Sequence, residues 1–482
     1  MKISRHAQLL LMLAGLGLSG CAAVGPDYVP PATGAPAGWA WLDPAAQPVA
    51  HAAASGDLGQ WWRSLNDPLL SELIAEALQA SPDLRSAQAK LREARARRTV
   101  AAAGQYPSVT ASGSASRSRS SEEAGSGATR NFFSAGFDAS WELDVFGGVR
   151  RSVEAAAADL ESAVANLHDT QVSLASEVAL TYVEVRAQQT RLGIARANLA
   201  SQSETLQLTD WRAQAGLVSS QDVEQARSNR EQTRAQIPSL ETSLAEAEHR
   251  LDFLLGRAPG TLHARLAATG ELPTVPGRIA VGIPADTLRQ RPDVRAAERR
   301  LAAETARVGV AEAARYPSFN LSGSIGLEAL TLGGLGDSGA ASSLLAGITG
   351  PVFNAGRLRA QVEIQDAVRE QAQVTYEQTV LTALQEVENA LVALARNRER
   401  VEALAIAAES AGNAAQLARQ RYSAGLIDFQ SVLDTERSVL SAEDSLASSR
   451  ADGVLALIRL YKALGGGWSP QTATRPAAKD TP

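Results

Sequence analysis

From Phe133 to Val145 the chain alternates strictly. Phe133, Ala135, Phe137, Ala139, Trp141, Leu143 and Val145 fall on one face of an extended strand, and Ser134, Gly136, Asp138, Ser140, Glu142 and Asp144 on the other. One side is apolar and aromatic; the other is polar and acidic. A half-buried strand of a soluble sandwich has this form, and so does a transmembrane barrel strand with lipid outside and water inside. The run Val109 to Ser116 precedes it and, with the polar loop Ser118 to Arg130, makes a hairpin. A second hairpin is predicted where Phe319, Leu321, Gly323, Ile325 and Leu327 alternate against Asn320, Ser322 and Ser324, followed after a Gly/Ser-rich loop by Ser343 to Val352, whose alternation is poor.

Elsewhere the period is that of a helix. A helical stretch from Asp67 to Gln105 is predicted, interrupted near Pro82 and ended before Tyr106-Pro107. Arg151 to Gln214 contains no proline, and Gly193 is its only glycine; about 60 helical residues at 1.5 Å each would span roughly 90 Å. Arg357 to Ser423 repeats the feature, with only Gly412 inside. Each long helix is followed by an Ala-Gly-Leu turn and a returning helix, Gln221 to Leu255 and Gln430 to Leu464. Pro238 is expected to kink or break the first return helix near Ile237.

These elements form a duplication. Ser81-Pro82-Asp83-Leu84-Arg85-Ser86-Ala87 returns 210 positions later as Arg291-Pro292-Asp293-Val294-Arg295-Ala296-Ala297, and Tyr106-Pro107-Ser108 returns as Tyr316-Pro317-Ser318 at the same offset. Ala215-Gly216-Leu217 matches Ala424-Gly425-Leu426 at offset 209. The expected organisation is a first repeat over 61–270, with a β-hairpin at 107–146 and a helical hairpin at 151–255, and a second over 271–468, with the corresponding parts at 317–353 and 357–464. Residues 469–482 read as a flexible tail.

Composition narrows the partners. The 482-residue chain is 45% hydrophobic but only 5% aromatic, which favours long alanine-rich helices. Its net charge is −6, so no basic surface recommends nucleic acid. The five histidines lack metal-ligand spacing and no phosphate loop follows a strand, so neither an enzyme nor a cofactor is expected. Lys2, Arg5 and the apolar run Leu9 to Leu18 read as a signal peptide over 1–20, too short to span a bilayer. The single cysteine, in Leu18-Ser19-Gly20-Cys21, stands where a bacterial lipobox requires the acylated thiol, and Ala22 after it favours the outer membrane. The proline-rich segment 21–60 reads as a lipidated tether.

Four strands cannot close a membrane barrel, and an open edge is not tolerated in lipid. Three copies would supply twelve, and a cyclic assembly would close the edges. The alternative is a periplasmic coiled-coil lipoprotein with small sandwich inserts.

The lipobox, Trp61-Trp62 with Asp67-Pro68-Leu69, Arg291-Pro292-Asp293-Val294, the two Tyr-Pro-Ser motifs and Ile237-Pro238-Ser239-Leu240-Glu241 together resemble the TolC-like outer membrane factors. The resemblance covers nearly the whole mature chain and is to the lipoprotein (NodT-type) branch serving resistance-nodulation-division efflux pumps. It implies a mostly α fold with a small β part: a homotrimeric channel-tunnel with a twelve-stranded barrel in the outer membrane and an α-barrel in the periplasm. A periplasmic adaptor would dock it onto an inner-membrane pump. The outer channel of a type I protein-secretion system is a second transport reading, disfavoured by the lipobox and the Ile-Pro-x-Leu-Glu pattern.

Residue by residue, the resemblance places adaptor docking at the turns Gly216-Leu217 and Gly425-Leu426, where glycine also serves as a plain helix cap. Asp434 matches an acidic position lining the periplasmic constriction, where three copies would make a ring; a solvated helix carboxylate is the alternative. Tyr422 and Asp222 match a tyrosine and an aspartate linked in the closed tip, although Ile427 stands where a basic partner is found. Phe133, Phe137, Trp141 and Phe319 are expected to face outer-membrane lipid, and the acids of the opposite face the lumen.

Overall fold

The computed structural model describes residues 23–32, 34–40, 49–51, 58–123, 126–268, 270–276, 279–281, 284–337 and 339–468. Cys21, the signal peptide and the tail lie outside them. In order, the elements are β1 Val49–His51, α1 Pro68–Ala80, α2 Pro82–Ala103, β2 Ser108–Arg119, β3 Thr129–Leu143, α3 Gly148–Gln214, α4 Ser220–Leu254 and α5 His263–Leu266. They continue with β4 Ile279–Val281, α6 Pro284–Gln290, α7 Pro292–Ala313, β5 Ser318–Ala329, β6 Ala340–Thr349, α8 Arg357–Ser423 and α9 Phe429–Ala463. Among the described residues no helix is long and apolar enough to cross a membrane.

The duplication holds to the residue in the lengths of the long helices. Helices α3 and α8 each have 67 residues, α4 and α9 each 35, and α2 and α7 each 22. The slip from offset 210 to 209 falls inside the β-hairpins, where β3 has 15 residues and β6 has 10. Lost register is tolerated there because it falls in exposed loops and not in a packed helix.

The chain divides into two compact units. The first comprises the described residues up to Ala32, with Ala89–Val164 and Arg295–Gln378. It holds a four-stranded antiparallel sheet in the order β2-β3-β5-β6. The N-terminal segment is extended, as a proline-rich stretch should be, but it is fixed rather than free. Val24 N–H donates to Phe146 O at 3.0 Å. Arg151, 5% exposed, donates to Val24 O at 3.1 Å, to Gly25 O at 3.2 Å and to the Asp27 carboxylate at 2.7 Å. A Cβ on Gly25 would collide with Gly309 Cα, so two glycines let the backbones touch.

The second unit comprises the described part of 33–88, with Ala165–Val294 and the chain from Thr379. Its main core gathers Trp61, Leu70, Ile74 and the middle of α3 at Val178 around the C-terminal ends of the return helices at Leu251 and Leu457, and β1 pairs in parallel with β4. Asp67 caps α1, accepting from Leu70 N at 3.0 Å, and its second oxygen accepts from Tyr182 Oη at 2.7 Å. Burial pushes the Tyr182 phenol up to about 12, so it stays a neutral donor. In the second repeat buried Arg291 takes over the cross-link. It donates to Asp293 and to Ala463 O at 2.8 Å, and pairs with Glu386 at 2.8 Å. Ser81 occupies the matching place in the first repeat, so the two halves are held by different chemistry.

Pro238 does not break its helix. It lies within α4, which continues to Leu254, and Thr242 Oγ1 donates to Pro238 O at 2.9 Å. Pro238 and Arg234 are both on the exposed side, so the Arg234 carbonyl that loses its partner can be hydrated.

Candidate functional site: the strand wall and the hairpin tips

The strand pairing turns the alternation of single strands into two faces of a wall. On one face Phe133 lies opposite Ala329, Phe137 opposite Ile325, Trp141 opposite Leu321 and Leu143 opposite Phe319. Strands β2 and β6 extend that face with Ala111 beside Phe137 and Ile348 beside Phe319. Phe137 is 58% exposed and Ile348 is 69% exposed, so this apolar surface has no cover among the described residues. Trp141 keeps its polar edge satisfied, with Nε1 donating to Gln105 O at 3.2 Å.

The other face is a hydroxyl ladder. Ser108–Ser140, Ser114–Ser134 and Ser324–Ser343 pair through their Oγ atoms, each at 2.8 Å, and Ser112 donates to Asp138 Oδ2 at 2.7 Å. Gly136 and Gly326 stand opposite each other on this face, and a Cβ on Gly136 would lie 2.7 Å from Ile325 O and 2.8 Å from Gly326 Cα. Only glycine at both positions permits the two backbones to approach this closely. The outer edges of β2 and β6 pair with no other strand among the described residues.

In the second unit, both helical hairpins turn in the same way. Gly216 and Gly425 have φ of +72° and +76°, and Leu217 N and Leu426 N reach back to Arg212 O and Arg421 O at 2.8 and 2.9 Å. This closing motif requires a left-handed residue after the helix, which is why glycine stands there twice. It leaves Leu217 67% and Leu426 73% exposed.

The residues expected near the tip are not all brought together. Asp222 and Tyr422 bond elsewhere: Asp222 forms a capping box with Ser219, whose backbone N donates to Asp222 Oδ2 at 3.0 Å. Tyr422 is 2% exposed, 5.6 Å from the Phe429 ring, with its hydroxyl 3.5 Å from Thr209 Oγ1. Asp434 lies exposed on α9 and accepts from Gln430 Nε2 at 3.0 Å. Two residues escaped the sequence reading. Arg212 lies over the Tyr422 ring, 4.6 Å from its centroid, and Trp211 is 58% exposed beside the same turn. A tryptophan in a polar stretch next to a turn was the available signal for the second.

A sheet with one apolar and one hydroxyl-lined face, set in a chain of duplicated 67-residue helices, defines the class of outer-membrane channel proteins. The family description "Outer membrane efflux protein" matches residues 73–257 and 283–466, and the chain belongs to that family. It is similar to nodulation protein T of Rhizobium leguminosarum bv. viciae, with 35% identity over 468 residues, 96% of this chain and 94% of that one. It is 34% identical to the pyoverdine export outer membrane protein OpmQ of Pseudomonas putida over 98% of this chain and all of that one. Among solved structures, the outer-membrane channel OprN matches with a TM-score of 0.87 and 37% identity, covering 93% of this chain and 100% of that one. The protein is therefore an outer-membrane channel component of an efflux system.

Proposed function

We propose that three copies close a single passive duct through which small molecules leave the cell. The observation carrying this reading is the four-stranded sheet with two free edges and an uncovered apolar face. Free edges cannot face lipid, and three such sheets joined edge to edge give a barrel of twelve strands. Phe133, Phe137, Trp141 and Phe319 then face lipid, and the serine ladder with Asp138 and Glu142 faces water. Acylation of Cys21 anchors each copy. The tips at Gly216-Leu217 and Gly425-Leu426 receive a periplasmic adaptor, which couples the duct to an inner-membrane pump of the resistance-nodulation-division type. Asp434, repeated three times, rings the entrance. The duct catalyses nothing and needs no cofactor; the pump supplies the energy. A relative at 34% identity named for pyoverdine export supports a small-molecule cargo.

Membrane extraction tests this. The expected result is a trimer that dissociates on heating and conducts ions in planar bilayers; a water-soluble monomer would overturn the proposal.

A further inference from the structure

The apolar face of the sheet has one charged end. Register places Ala115 opposite Phe133, Arg117 opposite Asn131 and Arg119 opposite Thr129. Residues directly opposed on paired strands share a face, so both arginines continue the face that carries Phe133, Phe137 and Trp141. Below them that face holds no ionisable side chain on any of the four strands. Ser118 and Arg130, opposite each other, belong to the other face. Arg117 and Arg119 are exposed, and among the described residues neither has an acidic partner.

Height decides what the two arginines meet. From Leu143 to Phe133 the apolar face runs about 33 Å along the strand, or roughly 25 Å across a membrane at a tilt of ~40°. That is the full height of a barrel's apolar band. Arg117 therefore stands just past the band, and Arg119 lies about 7 Å further along the strand, at the level of lipid headgroups. The direction of the chain says which leaflet. The long helices leave from the other end of the sheet, after Leu143 and Thr349, and Ala23, two residues from Cys21, packs there against Gly147. The arginines face away from the periplasm, toward the outer leaflet.

Two contrasts mark the pair. An edge strand guarded against stray pairing carries charge along its length, whereas β2 has none from Ser108 to Ser116. In the second repeat, 210 positions on, Leu327 and Ala329 replace the two arginines, so the basic end belongs to the first hairpin alone.

We propose that Arg117 and Arg119 form a binding site for the phosphate groups of an outer-leaflet glycolipid, one site per copy, on the membrane-facing side of the first hairpin. This inference rests on the duct reading above, which sets that face in lipid. The outer leaflet of a bacterial outer membrane is rich in phosphorylated glycolipid, and guanidinium forks match phosphate oxygens in bidentate geometry. Thr129 and Asn131, opposite the arginines, supply neutral hydrogen-bonding groups for the sugar that carries the phosphates. Phe133, next below, gives the acyl chains an apolar wall. A free phosphate would leave that wall unused, so the lipid is the favoured occupant.

Native mass spectrometry of the full-length trimer in detergent tests this, with diphosphorylated lipid A, lipid A stripped of phosphate, and inorganic phosphate as probes. Wild type should take up diphosphorylated lipid A, and R117Q/R119Q should weaken that uptake on the order of tenfold, since two cations beside an anionic headgroup are lost. R117K/R119K should keep part of it, through charge without the planar fork. Lipid A without phosphate should bind wild type and the glutamine variant alike, and Arg130→Gln, on the other face, should bind as wild type. Equal uptake of diphosphorylated lipid A by wild type and R117Q/R119Q trimers overturns the site alone. Displacement of the lipid by an equal concentration of inorganic phosphate also overturns it, leaving a plain anion site. Should the double variant not assemble, R119Q, at the last residue of β2, makes the same comparison. A wild type that proves a water-soluble monomer overturns the duct reading, and the site with it.

Discussion

Glu436 is 5% exposed and accepts a hydrogen bond from Thr205 Oγ1 at 2.6 Å, yet burial raises its pKa above the ordinary carboxylate value. Thr205 and the charge of Arg419 offset only part of that shift. The folded chain therefore binds a proton on Glu436 more tightly than the unfolded chain, so the stability this group contributes is present at low pH and lost as pH rises through the raised value. Glu436→Gln keeps an acceptor for Thr205 and removes the charge; its melting temperature should exceed wild type at pH 8 and converge with it near pH 4, measured by circular dichroism. At Gly425 the φ of +76° makes any β-branched replacement strained by about 1–2 kcal/mol, and a side chain there would point toward Arg212 Nη2, 3.7 Å away. Gly425→Val is expected to abolish export while trimers survive on unheated gels. Asp434→Ala should weaken cation preference in bilayers, and unchanged selectivity would remove it from the entrance. The residue scale also shows where sequence reading stops. Ser219 and Asp222 spell a capping box that local physics alone predicts, and Asp222 makes those bonds rather than one to Tyr422. Arg212 was not legible, because its partner Tyr422 is 210 residues away and no local pattern marks a cation that reaches across hairpins.

The elements were largely readable from period and punctuation. Helix α8 begins and ends at the expected residues, Arg357 and Ser423, since an unbroken run without proline leaves a helix nothing to stop it. Strand β6 was the weakest reading, and the reason is physical. Leu344 and Leu345 are adjacent and 79% and 66% exposed, so apolar residues occupy both faces of an edge strand that awaits a neighbour. Break signals were over-read in one place: Pro238 stays helical because its lost hydrogen bond lies on the solvent side. A strand prediction follows from the glycine pair. Gly136→Val places its Cβ 2.7 Å from Ile325 O, where backbone must move, so the pairing of β3 with β5 should be disturbed and the protein should accumulate as monomer. Gel analysis of outer-membrane fractions checks this, with Gly113→Val as a tolerated control, because its Cβ would meet nothing closer than 3.9 Å.

The two units differ in how complete they are alone. The second has a large continuous core built on Trp61, Leu251 and Leu457. In the first, the buried residues include a small cluster of Ala158, Ala302 and Ala303 together with Leu301, Val308 and Tyr376, while its strands expose Phe137, Ile325 and Ile348. A monomer therefore satisfies one unit and leaves the other unfinished: the exposed apolar face suits lipid, and the edges of β2 and β6, unpaired among the described residues, call for neighbouring strands. Dissociated monomers in mild detergent should lose strands β2, β3, β5 and β6 to limited proteolysis before α4 or α9 is cut; equal cleavage of both units would contradict this. The four strands were legible in the sequence, and with them the argument that one chain cannot close a barrel, whereas the hydroxyl ladder and the Arg151 clamp depend on register and close approach that composition does not carry.

The fixed N-terminal segment bears on how the protein meets the membrane. Ala23 packs so closely on Gly147 that a side chain at Gly147 would strike it, and Gly147 lies four residues beyond the end of β3. Two residues of chain reach no more than about 7 Å. With Cys21 acylated as proposed, the fatty chains are on a short leash at the rim of the strands and cannot drift away across the bilayer. The lipid then works as a depth gauge: it fixes the level at which the apolar band enters the membrane and, in the proposed trimer, does so for all three copies at once.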